Sequence, residues 1–123
     1  VRDYTQVEIS RTDAYQLGFN PPVRDSGDLD NSETVTLIGP NGTLLANNST
    51  IIADRHIHVT KEHRKLYGLE DKEYVSVLVP GEKGGILSNV RIKETEKAYY
   101  EMHIDTDDAN AFLIKNGDIV EII

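Results

Sequence analysis

Cysteine is absent from the 123 residues, and so is tryptophan. The first absence excludes disulfides, thiolate zinc sites and a cysteine nucleophile. Aromatic side chains are few, with two phenylalanines and six tyrosines. No run approaches the roughly 20 apolar residues that a membrane-spanning helix needs, so a membrane partner is not expected. Basic residues are in the minority: 13 Lys and Arg stand against 21 Asp and Glu, for a formal net charge of -8. Nonspecific nucleic-acid binding relies on clustered cations that neutralise phosphates, so nucleic acid is not an expected partner either. The first residues lack the apolar core of a secretion signal. With no cysteine to oxidise, the expected compartment is the cytoplasm.

What is present is a succession of short elements. Residues 5–9 (TQVEI) alternate polar and apolar, which predicts a strand. Ser10 offers a helix cap, and Gly18 offers a stop one or two turns later. Residues 19–32 hold two prolines, a glycine and three aspartates and read as a loop of functional length. Residues 34–38 and 43–46 flank Gly39-Pro40-Asn41-Gly42 as a hairpin. Asn47-Asn48-Ser49 reads as another turn, after which a strand starts at Thr50 and can continue to Val59. Thr60 caps a short helix ended by Gly68. Strands follow over 73–79, 86–92 and 99–104, then a helix over 105–113, a turn at 116–118 and a last strand over 119–123. The pattern predicts a mainly β fold: two small β-barrel-like lobes with short capping helices, parting near residue 54. The lobes are residues 1–54 and 55–123, the first expected to be incomplete.

Residues 7–14 (VEISRTDA) can be laid on residues 102–109 (MHIDTDDA). Ile, Asp and Ala coincide, Ser10 faces Asp105, and Glu8 faces His103. Such a match is the mark of a duplicated unit.

Arg55-His56-Ile57-His58 carries the strongest chemical signal. Residues i and i+2 of a strand share a face, so His56 and His58 present two imidazoles together. A zinc site takes neutral imidazoles, three of them where the fourth position stays open. His103, on a predicted strand before a capped helix, is the natural third ligand. The alternative is a set of solvated surface histidines, the role read for His63 in its charged helix. Glu8, matched to His103 in the repeat, is a second candidate ligand; otherwise it is an exposed strand residue. Arg2, Arg11, Arg24 and Arg55 can each fork onto an anion or form surface ion pairs. No phosphate loop with lysine and no Gly-x-Ser-x-Gly elbow occurs.

Taken in order, QVEISRTDAYQLGFNPPVRDSGDL, TVTLIGPNG, ADRHIHVT, EMHIDTDDANA and NGDIVEI resemble the zinc-dependent phosphate acyltransferases of the phosphate propanoyltransferase type. The resemblance runs along essentially the whole chain. It implies an enzyme that converts acyl-CoA and phosphate to acyl phosphate and coenzyme A, acting on propanoyl or acetyl groups. It implies paired β-barrel domains and two zinc ions. His56, His58 and His103 match the ligands of one zinc, Glu8 matches a ligand of the other, and Arg2 falls where the family contacts phosphate as a catalytic group. The family's N-terminal segment with a further His-x-His is not in this sequence, so the chain reads as a C-terminal portion. A zinc hydrolase and an inactive zinc-binding fragment stand as the competing readings. Strand edges left open by an incomplete lobe imply a homo-oligomer. Residence in the cytoplasm, with a bacterial microcompartment as a further setting, belongs to the same implication.

Overall fold

The computed structural model describes residues 2–97 and 99–123. The fold is mainly β with short capping helices, as the pattern predicts. It divides into two compact units, 1–54 and 55–123. No helix among the described residues is long and apolar enough to cross a membrane.

The first unit begins with β1 (Val7–Glu8) and α1 (Arg11–Leu17). Ser10 is the cap: its hydroxyl accepts the Asp13 N–H at 3.1 Å. Gly18 ends the helix at φ 78, a left-handed conformation that glycine adopts without steric cost. β2 (Val23–Arg24) lies within the expected loop and pairs parallel with the end of β4 (Gly42–Ala53). β3 (Glu33–Gly39) forms the expected hairpin with β4, and β1 pairs parallel with β4 at Thr50 and Ile51. Ile51 is fully buried, with Ala14, Val35, Ala46 and Ile52 also inside.

One expectation is overturned here. Asn47-Asn48-Ser49 makes no turn; β4 runs through it as one strand of 12 residues. The pairing shifts register between Glu33 and Val35, and Asn48 takes a positive φ of 43. Thr34 Oγ1 accepts the Asn48 N–H at 3.0 Å, and the buried Ser49 hydroxyl donates to the Ala46 carbonyl at 2.9 Å. A bulge bonded in this way takes up the irregularity without breaking the strand. The strand does not continue to Val59 either: it ends at Ala53, and β5 (His56–Val59) belongs to a different sheet.

The second unit is a five-stranded sheet in the order β8-β5-β7-β6-β9, built from β5, β6 (Tyr74–Val79), β7 (Gly85–Glu94), β8 (Glu101–His103) and β9 (Glu121–Ile122). β6 and β7 form an antiparallel hairpin. Its turn brings backbone so close that a Cβ on Gly84 would lie 2.3 Å from the Val79 carbonyl oxygen, so only glycine fits. Ile57, Val59, Leu69, Val77, Val79, Leu87, Val90 and Ile92 form the core. A fully buried aliphatic side chain contributes about 1.5–3 kcal/mol.

Two helices flank this sheet. α2 (Lys61–Leu66) has a capping box in which Thr60 bonds the His63 N–H and His63 Nδ1 accepts the Thr60 N–H at 3.2 Å. His63 is therefore no free surface histidine; its ring also lies 5.2 Å from that of Tyr100, which stacks on Tyr67 at 4.6 Å. α3 (Thr106–Phe112) is capped by Asp105, whose carboxylate accepts the Asp108 N–H at 2.9 Å.

Candidate metal centre

The burial of β5 alternates: Ile57 and Val59 are buried, while His56 and His58 are half-buried on the opposite face. Each neighbouring strand repeats the division. On β7, Val90 and Ile92 enter the core. Arg91 pairs with His56 and Lys93 with His58 across the parallel ladder. On β8, Met102 packs against the core, and His103 lies directly across from His56. The apolar half of this alternation fixes the register. A slip by one residue would bury the imidazoles and expose Ile57.

The result is three histidines gathered on one sheet face. His56 Nε2 and His58 Nε2 are 3.1 Å apart. The ring centroids are 4.7 Å apart for His56 and His58, 5.2 Å for His56 and His103, and 4.8 Å for His58 and His103. One nitrogen from each ring lies within 4.8 Å of the others. Burial, then the charges possible on His56 and His103, push the His58 pKa below its ordinary value, so its lone pair stays available. Three imidazole nitrogens converging in this way make a donor set that could hold a metal ion. Just beyond, Arg55 pairs with Asp108 at 3.2 Å, tying the start of β5 to α3. A cleft of about 910 Å³ opens beside His103, lined among others by Tyr99, Tyr100, Ile114, Ile119 and Val120.

The first unit holds the other sequence candidates. Arg2 Nη2 donates to Ser26 Oγ at 2.8 Å, and its guanidinium lies 5.6 Å from the centre of the Tyr4 ring. Gln6 Nε2 donates to Ser26 Oγ at 2.9 Å and to Glu8 Oε1 at 2.7 Å, while Gln6 Oε1 accepts the Gly27 N–H at 2.9 Å. Arg2 and Glu8 are thus joined through Ser26 and Gln6, neither of which was singled out from the sequence. The other arginines are engaged elsewhere: Arg11 with Asn20 at 2.8 Å and Arg24 with Asp28 at 3.5 Å. The repeat of residues 7–14 in 102–109 is a repeat of local structure, since each segment forms a strand end, a capping side chain and a seven-residue helix.

The fold and this face define a mainly β protein with a three-histidine cluster suited to a metal ion. Residues 1–115 match the phosphate propanoyltransferase family, and the chain belongs to that family of enzymes. Its relatives include a phosphate propanoyltransferase of Thermotoga maritima, 48% identical over 100% of this chain and 59% of that protein. One of Priestia megaterium is 46% identical over 93% of this chain and 52% of that protein. One of Rhodopseudomonas palustris is 42% identical over 99% of this chain and 54% of that protein. The chain therefore spans between half and three-fifths of the length of these relatives.

Proposed function

We propose that the whole protein is a phosphate acyltransferase that exchanges coenzyme A and phosphate on a short acyl group, with zinc held by His56, His58 and His103. Membership of the family supports the reaction class, and the convergence of three imidazoles on one sheet face carries the metal assignment. Bound zinc supplies a Lewis acid able to polarise a carbonyl or orient an oxyanion.

The reaction needs no nucleophilic side chain, which suits a chain without cysteine. A phosphate oxygen attacks the thioester carbonyl carbon, the new C–O bond forms, the C–S bond breaks, and coenzyme A departs as a thiolate that takes up a proton. Arg2 is the phosphate-binding residue in this reading. Its partners, the Ser26 hydroxyl and the Tyr4 ring, are neutral, so its charge remains available to a dianion. Gln6 and Ser26 hold Arg2 and Glu8 in place, and Glu8 is proposed as a ligand of a second zinc. The acidic chain can still bind anionic substrates, because arginine and metal set the local potential whatever the net charge.

The test is an assay of the full-length protein with propanoyl-CoA or acetyl-CoA and phosphate. Coenzyme A release should require phosphate and yield acyl phosphate. Release of free acid independent of phosphate would make the protein a hydrolase and overturn the proposal. Arg2→Ala should lower kcat/KM for phosphate by about 10²–10³, the range found for loss of one stabilising donor, with less effect on the KM for acyl-CoA.

A further inference from the structure

The sheet face that carries the histidines also carries a carboxylate. β5 and β8 pair with His56 opposite His103, Ile57 opposite Met102, and His58 opposite Glu101. Ile57 and Met102 turn to the core. The remaining four side chains form a square, two along each strand and two across each rung. Three corners are histidines and the fourth is Glu101. The converging nitrogens come from the histidines alone. The Glu101 carboxylate instead engages His103, with Oε1 3.0 Å from Nε2.

We propose that Glu101 is a positioning residue of the metal centre, holding His103 in the tautomer that carries its proton on Nε2 and leaves Nδ1 for the metal. This rests on the zinc reading above. The argument is one of hydrogen-bond capacity. An ionised carboxylate only accepts, so the ring nitrogen beside it must bear hydrogen. A neutral imidazole has a single N–H, so the other nitrogen keeps its lone pair. Metal-bound histidines commonly donate their second nitrogen to a carboxylate, which fixes the ring and raises its basicity. Strand geometry makes the arrangement durable, because residues i and i+2 of β8 share a face whatever the side chains do. As a surface ion pair alone, the same contact between two exposed groups would contribute little.

Three measurements on the 123-residue chain decide it. In the metal-free protein, long-range ¹H–¹⁵N correlation should find His103 protonated on Nε2, and Glu101→Ala should abolish that bias. In competition titrations with a chromophoric chelator, Glu101→Ala should weaken zinc binding by about 10–100-fold. Glu101→Gln, whose amide oxygen still accepts from Nε2–H, should recover most of it. Cobalt(II) at saturation should give the same visible bands in wild type and Glu101→Ala. Altered bands would make Glu101 a direct ligand and overturn the positioning role. Unchanged zinc affinity in a folded Glu101→Ala, or an Nδ1–H tautomer in the wild type, would overturn it while leaving the zinc reading intact. A wild-type chain that binds no zinc would overturn both.

Discussion

Ser10 and Asp105 occupy the same point of two locally congruent segments. Each accepts the N–H three residues on, at 3.1 Å from Asp13 and 2.9 Å from Asp108. Each helix then ends in a left-handed residue, Gly18 or Leu113, with N–H bonds back to Ala14 and Ala109 respectively. The partners of the preceding strands differ: β1 runs parallel to β4, β8 antiparallel to β5. Ser10→Ala and Asp105→Ala should each lower stability by about 1 kcal/mol in urea denaturation, the usual loss for a removed cap. A change of only a few tenths would mean that tertiary packing, and not the cap, holds that helix.

Metal binding should show as stability. A zinc site present only in the folded chain stabilises it by mass action. Adding a chelator to the purified chain should lower its melting midpoint, and about one equivalent of zinc should restore it. His103→Ala should remove both the zinc content and the response. Unchanged zinc content in that variant would place the metal elsewhere.

Asp108 gives a pH dependence of definite sign. Burial pushes its carboxyl above the ordinary value of 3.8; the Arg55 charge opposes this, while Asp105 and Asp107 add to it. The folded chain thus holds this proton more tightly than the unfolded chain. Its contribution to stability is present below the unfolded value and is lost as pH rises through the folded one. Asp108→Asn should remove that decline, and Arg55→Ala should steepen it, both read from denaturation midpoints across acid pH.

β8 and β9 end the five-stranded sheet, and among the described residues neither has a second strand partner. Unpaired edges recruit strands. We expect concentration-dependent self-association of the 123-residue chain in sedimentation velocity. A monomer at every concentration would count against it.

Most element types were legible because local signals agreed with the final packing. The cap residues Ser10, Thr60 and Asp105 stand just before their helices. The alternation in HIHV places two histidines on one face whatever strand pairs with it. Asn47-Asn48-Ser49 reads as a turn because its composition signals one in isolation, yet it lies within β4. The bonds that overrule it, from Thr34 and within β4, depend on pairing with β3. Ser26 was missed because it lies in a loop and meets Arg2 and Gln6 only through the fold. Glu101 could have been found, since the rule that joined His56 to His58 also joins Glu101 to His103.

The pairing of β5 with β8 has a consequence for the order in which the molecule assembles. The β3–β4 and β6–β7 hairpins close through short turns, whereas His56 meets His103 only after α2 and the whole β6–β7 hairpin have been laid between them. Closing a long loop has a larger entropic cost than closing a short one, and distant contacts form more slowly. The three imidazoles therefore come together late. A partly folded chain would lack the cluster although its hairpins were already in place, and a metal ion would engage it only once β8 had docked on β5. In refolding followed by stopped flow, metal uptake should lag behind the recovery of hairpin signal, so that the ion reports the docking of β8 on β5.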